Sequence, residues 1–386
     1  MVSCPGPADP SHGADGIPLR VAGLDIHTIG AGGGSIAWRD SGGALRVGPE
    51  SAGAHPGPAC YGRGGVAPTV TDANLFLGRL GRAGLLGGAM RLDPEAAERA
   101  IGALAATLGL SPVDTARGIV AVVNANMAGA VRLVTVERGV DPGGLALLAF
   151  GGAGPLHAAA LARELSVGTV VVPPSPGLLC ALGLLVEDLR TDAVRTSVTR
   201  LDGDALPRLD KLFTEMEAEA TAWLERERVP AGRRSMERWL DMRYAGQNYE
   251  LLVPVPEQTW AARHVEPLRA RFLTQHEATY GYAAPDEPIQ VVNARLVARG
   301  RPDPPVLPRN PRVTGDTAPV PSARRPVFFE TAGDFVDCPL YDRRRLAAGH
   351  VIPGPAIVEQ FDSTTLIHPG QRAVVNDLGF ILITET

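Results

Sequence analysis

Leu145-Ala-Leu-Leu-Ala-Phe-Gly-Gly-Ala-Gly-Pro-Leu-His157, followed shortly by Thr169-Val-Val-Val-Pro173, decides the fold class. Leu145–Phe150 is a continuous apolar run that ends in glycines and reads as a buried strand. Pro155 falls at the first helical residue, where its missing N–H costs nothing, so Pro155–Leu165 reads as a helix. Thr169–Pro173 is a second apolar, β-branched run, and Gly177–Val186 reads as a further apolar helix. Strand, helix, strand in this order predicts a parallel or mixed sheet in an α/β fold. The glycine turn also presents free N–H groups and the positive end of a helix dipole, a setting suited to phosphate. Gly151, Gly152 and Gly154 would let an adenine or ribose lie against the backbone, and His157 sits in the first helical turn, where a neutral imidazole can meet a ligand. Ordinary strand–helix packing accounts for the same glycines, and a structural role for the same histidine.

A second glycine cluster lies near the start: Asp25-Ile-His-Thr-Ile-Gly-Ala-Gly-Gly-Gly-Ser-Ile-Ala37. Gly30, Gly32, Gly33 and Gly34 strip side chains from a stretch that needs φ > 0 or close backbone contact, and Ser35 follows at once. Exposed N–H groups in such a loop form a concavity suited to anions; a tight turn between strands is the alternative. It is not a P-loop, since the sole lysine, Lys211, is far from any glycine cluster. Nor is it a dinucleotide fingerprint, because counting from Gly30 puts Ser35 at the last glycine position.

At 386 residues the chain has room for two or three cores. A net charge of -5 with no basic stripe, and 5% aromatic residues, exclude a nucleic-acid footprint. Cys4, Cys60, Cys180 and Cys338 are widely spaced and read as reduced thiols, pointing to the cytoplasm. No uninterrupted apolar run approaches a membrane span. Residues 1–22, rich in Pro, Gly and Asp, read as a disordered leader rather than a signal peptide.

Ser-Ile-Ala-Trp38 and Ala-Leu-Arg-Val47, separated by Asp40-Ser-Gly-Gly43, predict a hairpin. Gly48–Pro68 reads as a long loop, of the kind that is usually functional or mobile. Thr71 or Asp72 caps a short helix, and helices are predicted at Asp93–Leu108 and Pro112–Arg138. Near Arg195 the character changes. A charged helix, Pro207–Arg228, with Glu215, Glu217 and Glu219 facing solvent, precedes alternating segments at Met236–Tyr244, Tyr249–Val255, Ile289–Arg299, Pro326–Phe329, Ala356–Glu359, Thr364–Ile367 and Phe380–Thr384. One helix, around Ala262–Tyr280, interrupts them, and a barrel-like arrangement is one option. The division expected is therefore 23–194, α/β, and 195–386, β-rich.

Together, Asp25–Ala37, Val-Gly-Pro-Glu-Ser-Ala-Gly-Ala54, Pro-Gly-Pro-Ala-Cys-Tyr-Gly62, Thr-Val-Thr-Asp-Ala-Asn74, Phe150–His157, Asp241-Met-Arg-Tyr-Ala-Gly-Gln247 and Gly-Pro-Ala-Ile-Val-Glu359 resemble the hydantoinase A/5-oxoprolinase family. The match runs in one order from about residue 23 to the C-terminus. The resemblance implies part of a sugar-kinase/actin/Hsp70-like (ASKHA) lobe followed by a β-rich C-terminal domain. It also implies ATP and Mg²⁺, a small cyclic amide substrate, and a hydantoinase B-type partner subunit. Ring opening would pass through a phosphorylated amide; ketone carboxylation is the alternative within the family. The Gly151–His157 turn resembles the adenosine-side motif, and the Gly30–Ser35 loop would line the cleft.

The family's two Asp-x-Gly-Gly-Thr phosphate loops are absent from this sequence. The expectation is a C-terminal portion of a family member, with the remaining lobe on another polypeptide, upstream, or lost; a non-catalytic remnant is the third reading. Asp25 and His27, on one side of an extended strand, with Asp72 would make a divalent-ion site, although loop polarity and helix capping account for the same residues. His55 is a further polar candidate. Cys60 lacks a histidine and acid at catalytic spacing. Asp241, Arg243 and Gln247 read as stabilising a strand–turn corner.

Overall fold

The structure is a computed structural model describing residues 26–82, 84–261, 264–313 and 319–386. The chain opens with an antiparallel hairpin, β1 (Ser35–Arg39) and β2 (Leu45–Ser51), pairing Arg39 with Leu45 and Ala37 with Val47. The Asp40 carboxylate closes the turn by accepting from Gly42 and Ala44 N–H and from Arg46. Helices α1 (Val70–Phe76), α2 (Pro94–Leu108) and α3 (Pro112–Val134) follow. The caps of α2 and α3 are those the sequence announces: Asp93 accepts from Ala96 N–H, Ser111 from Asp114 N–H, prolines open both helices, and Gly109 ends α2 at φ +68°. Then come β3 (Ala146–Leu148), α4 (Gly154–Glu164), β4 (Thr169–Val172) and α5 (Leu179–Val186).

The middle of the chain forms a separate compact unit, residues 183–305. It contains β5 (Leu189–Arg200), α6 (Ala205–Arg226), β6 (Arg234–Tyr244), β7 (Leu251–Val255), α7 (Glu257–Ala261), α8 (Glu266–Tyr280) and β8 (Ile289–Gly300). Its sheet is open and antiparallel, in the order β5-β8-β6-β7, not a barrel. Leu209, Phe213, Met216 and Leu224 of α6, with Leu268 and Phe272 of α8, join Leu240, Met242, Val253 and Leu296 of the sheet in one core. Asp241 ties β6 to β8 by accepting from Arg295 Nε (2.8 Å) and Asn293 Nδ2 (2.6 Å), while Arg243 pairs with Glu250. Gln247 accepts from Tyr244 N–H at the turn. Glu215 and Glu219 are exposed as expected, but Glu217 is half-buried and binds Arg238 Nε at 2.5 Å. The helix predicted around 262–280 is α8, and α7 precedes that range.

The chain then returns. Strands β9 (Ala323–Phe329), β10 (Asp334–Asp342), β11 (Val351–Pro353), β12 (Ala356–Glu359), β13 (Thr364–Ile367), β14 (Gln371–Val375) and β15 (Ile381–Glu385) belong to the same compact unit as residues 26–182. Compaction thus follows the chain's exit and re-entry. β3 and β4 are parallel, joined through α4, and β15 pairs antiparallel with β4, so the sheet β11-β14-β15-β4-β3 is mixed. Ala158 and Ala162 of α4 pack with Val170, Val172, Ile381 and Ile383. Leu145–Phe150 is not a buried strand: β3 is a sheet edge, and Leu145, Leu148 and Phe150 are exposed.

By length and composition α3, with the turn to Arg138, is apolar enough to cross a membrane. Reading for uninterrupted runs misses it because polar residues such as Asn124 and Arg132 punctuate it. In this unit Ala116, Ile119, Val120 and Val123 place one face of it in a core with α1 and α2.

A second sheet, β13-β12-β10-β9, carries the suture that fixes α1. Phe328 N–H donates to Leu77 C=O at 2.9 Å, and Gly78, at φ +75°, lets the chain pass so close that a Cβ would overlap the Pro326 carbonyl oxygen. Gly78→Ala meets both a left-handed backbone and a clash, so a loss of roughly 2–4 kcal/mol is expected. Urea unfolding measures it; a variant within about 0.5 kcal/mol of the parent would contradict the suture.

Candidate functional site

The first glycine cluster is built for close packing. None of Gly30, Gly32, Gly33 and Gly34 has positive φ. A Cβ on Gly30 would lie 2.8 Å from Pro49 Cα, on Gly33 2.7 Å from Thr71 Oγ1, and on Gly34 2.8 Å from Ser51 Oγ. Gly32 alone is open. Ser35 is buried, accepting from Gly32 N–H (2.9 Å) and donating to Gly30 C=O (3.2 Å), so its hydroxyl clips the loop to itself. Thr71 holds the loop from the other side: its N–H and its hydroxyl both donate to Gly33 C=O at 2.8 Å.

The second cluster is a turn into α4. Gly151 takes φ +79° and donates to Pro176 C=O; Gly152 C=O accepts from Ser363 Oγ; Gly154 is the first helical residue, with Pro155 next. Ala153 caps α4 without a side-chain hydrogen bond. His157 is buried, and its Nδ1 meets Asn124 Oδ1 of α3 at 2.8 Å. An amide oxygen only accepts, so Nδ1 carries the proton and Nε2 keeps its lone pair. Burial, with the charge of Arg79 nearby, pushes His157 down to about 4, and the ring is neutral at physiological pH.

Both glycine segments open on one cavity of about 960 Å³, lined by Gly33 and Gly34 from the first and by Gly152 and His157 from the second. Gly30, Gly32, Ser35, Gly151 and Gly154 stand behind the wall rather than on it. Asn74 of α1, Leu80 beyond it, and the segments 84–88, 342–345 and 359–364 are also on the wall. Its carboxylates are all engaged: Asp342 with Arg344 (2.7 Å), Glu359 with Arg325 (2.6 Å), Asp362 with Gly177 N–H (2.7 Å) and Gln360 Nε2. Among the described residues Arg343, half-buried on the wall, and Arg79, buried and not on it, make no ion pair. Arg343 donates through Nη2 to backbone carbonyls, including Pro173 (3.2 Å), and leaves Nη1 without a partner. Arg79, immediately before Leu80, leaves Nε without one. Burial lowers both to about 10.

Of the residues expected to hold a divalent ion, Asp25, His27 and Asp72, the structure describes the last two. Asp25 lies outside the described residues, and His27 is exposed. Asp72 is fully buried and saturated: it accepts from Thr69 N–H (2.8 Å), Thr69 Oγ1 (2.7 Å), Ala59 N–H (3.2 Å) and Cys60 N–H (2.8 Å). It is the third residue of α1 in a capping box with Thr69, which, rather than Thr71 or Asp72, is the N-cap. Among the described residues no group of three or more His, Cys, Asp or Glu is placed to hold a metal. His55 is exposed, and Cys60 is buried beside Asp72, which together push its thiol far up and leave it unreactive. Sequence reasoning missed Arg79 and Arg343; the only local signal is the Leu-Gly-Arg-Leu80 sequence after a helix.

A model of the hydantoinase/oxoprolinase family matches residues 8–193, and one of the hydantoinase/oxoprolinase C-terminal domain matches residues 200–385. The caprolactamase alpha subunit of Pseudomonas jessenii is 37% identical over 361 residues, 92% of this chain and 51% of its own length. The crystal structure of the ATP-dependent caprolactamase from that organism superposes with a TM-score of 0.71 at 36% identity, over 96% of this chain and 55% of that one. A nucleotide-free acetone carboxylase structure shares the fold, with a TM-score of 0.80 at 24% identity over 92% of this chain and 52% of that one. The chain spans about half the length of each.

His157 and His368 are both held neutral by burial, at about 4 and about 3, whereas unfolded imidazoles titrate near 6.5. Below that pH the unfolded chain binds protons that the folded one refuses. The contribution of these residues is therefore complete above pH 6.5 and falls as the pH drops towards 4. Each histidine is expected to add about 1.4 kcal/mol per pH unit to the slope of unfolding free energy in that window. Denaturation curves of the parent and His157→Asn between pH 4.5 and 7.5 test this; an unchanged slope in the variant would contradict a buried, neutral His157.

Proposed function

Since this chain belongs to the hydantoinase/oxoprolinase family, whose members include cyclic-amide hydrolases and acetone carboxylase subunits, we propose that it is the cleft-bearing portion of an ATP-dependent cyclic-amide hydrolase. One observation carries this reading: two glycine segments distant in sequence face one cavity whose wall carries Arg343, with a buried Nη1 that has no partner, and no spare carboxylate. That donor set suits an anionic ligand such as a nucleotide. ATP would supply the free energy for opening an unreactive amide. The chain's own part would be to bind and orient, with His157 Nε2 accepting a hydrogen bond from a ligand N–H and the α4 turn offering backbone N–H groups. The described residues do not fit Mg²⁺, and no step is assigned to a metal here.

A partner, either a second subunit or the half that the relatives carry beyond this match, would complete the activity. The exposed apolar edge at Leu145, Leu148 and Phe150 supports such a surface. A cytoplasmic location fits the reduced cysteines. The carboxylase alternative rests on the shared fold with acetone carboxylase, and the lactam-hydrolase reading is favoured by the higher identity to caprolactamase.

Titration with ATP, followed by release of inorganic phosphate in the presence of lactams, 5-oxoproline or hydantoins, with and without the complementary half of a relative, tests the proposal. Binding of ATP and amide-dependent phosphate release in the assembled form are expected. Phosphate release stimulated only by ketones with bicarbonate would move the chain to the carboxylases, and no nucleotide binding in any form would overturn the reading.

A further inference from the structure

Among the described residues the mixed sheet β11-β14-β15-β4-β3 has a core on one face only. Side chains alternate between the two faces of a strand, so the register sorts the sheet into two sides. Ile352, Ala373, Ile383, Val170 and Leu147 lie opposite one another across the five strands. That row packs in the core with α4, and its first four members are at most 2% exposed. One step along each strand lies a second row, Val351, Val374, Leu382, Val171 and Leu148, which faces the other way. Leu148 is 46% exposed and the other four are half-buried. None of the five belongs to any core that the described residues form. Phe150, two residues beyond Leu148, is 49% exposed.

The composition of that second side is wrong for water. A strand with one solvated face alternates apolar with polar residues, whereas an uninterrupted apolar run belongs to a strand covered on both faces. Val170-Val-Val172, Ala373-Val-Val375, Ile381-Leu-Ile383 and Leu145–Phe150 are all uninterrupted. The last of these reads in sequence as a buried strand yet stands at an exposed edge, as a strand awaiting its cover does. The described helices are committed elsewhere: α4 to the closed side, α1, α2 and α3 to a second core, α6 and α8 to the 183–305 unit. The missing cover is helical, because β3 and β4 are parallel and joined through a helix, and sheets wound in this way carry helices on both faces. Polypeptide to supply it exists in the relatives: the match to the caprolactamase alpha subunit takes up 51% of that protein, leaving about as much again outside it.

We propose that the open face of this sheet, the Val351, Val374, Leu382, Val171 and Leu148 row with Phe150 at its edge, is the docking surface for the half that the relatives carry beyond this match, which seats the apolar side of amphipathic helices on it. This surface rests on the reading above that such a half completes the chain, but not on the reaction that the pair performs. The full chain, tagged and co-expressed with the part of the caprolactamase alpha subunit outside its match, is the test, read by the amount of that part retained on purification and by amide exchange at 146–150. Retention of the part, with exchange at 146–150 slower than in the chain alone, is expected. Leu148→Glu and Leu382→Glu each put a carboxylate under the cover and are expected to cut retention about tenfold or more. Val66→Glu, at a valine 83% exposed in the loop before α1, is expected to leave retention unchanged. Leu148→Glu alone is expected to melt close to the parent, since Leu148 is already half in solvent, which separates lost docking from lost folding. No retention, or retention weakened alike by Leu148→Glu and Val66→Glu, would overturn the proposal. A dimer of the chain alone that Leu148→Glu splits would overturn it by giving the face to a second copy. Exchange at 146–150 that is already slow in the chain alone and quickens on deletion of residues 1–25 would give it to this chain's own first residues. A complex held through this face that releases no phosphate with any amide would leave the docking surface standing and remove the hydrolase reading.

Discussion

The carboxylate of Asp72 is the constraint on which the cavity wall depends. It has no exposure to solvent and accepts from four donors: the N–H and hydroxyl of Thr69, and the N–H groups of Ala59 and Cys60. One side chain therefore caps α1 and fastens the loop that precedes it. Replacing a carboxylate oxygen there by an amide nitrogen would set donor against donor in a buried site, among the costlier changes a fold can suffer. From this fixed start α1 reaches the cavity in both directions. Thr71 beside Asp72 holds Gly33 of the first glycine loop, and just beyond the helix Gly78 and Arg79 are sutured to β9 and clasped by Arg325.

This arrangement gives the cavity its electrostatic character. Acidic side chains on its wall are spent on Arg325, Arg344 and backbone N–H groups, whereas Arg343 on the same wall retains an unsatisfied donor. His157 and His368 cannot add to the positive charge, because burial and Arg79 hold them neutral. The result is a concave site with a cationic bias that comes from position rather than from composition, since the chain as a whole carries a net charge of -5.

Much of this was legible before the structure. Asp93 with Pro94, Ser111 with Pro112, and Gly109 mark helix ends by local chemistry, and local chemistry is what sequence reports best. The β3–α4–β4 unit was legible for the same reason, but the exposure of Leu148 was not, because an edge strand and a central strand share an apolar run. Strand β5 escaped notice because its alternation is of half-buried polar and exposed residues, without an apolar period. The glycines at 30, 33 and 34 suggested an anion cradle; they instead make room for Pro49, Thr71 and Ser51, contacts set by tertiary packing that no local pattern encodes. Asp72 was visible as a capping residue and as a metal ligand, and only its buried donors decide between them. Arg79 left almost no trace in sequence, since an unpaired buried cation differs from a surface arginine only in what surrounds it.

The central claim is that the Gly33–Gly34 and Gly152–His157 segments are two walls of one ligand cleft. Amide hydrogen exchange followed by mass spectrometry, with and without saturating ATP or the anion that stabilises the chain, tests it most directly. Slowed exchange in both segments together, with the amides of the 183–305 unit unchanged, is the result the account predicts. Protection confined to one segment, or appearing only outside the cavity wall, would contradict it.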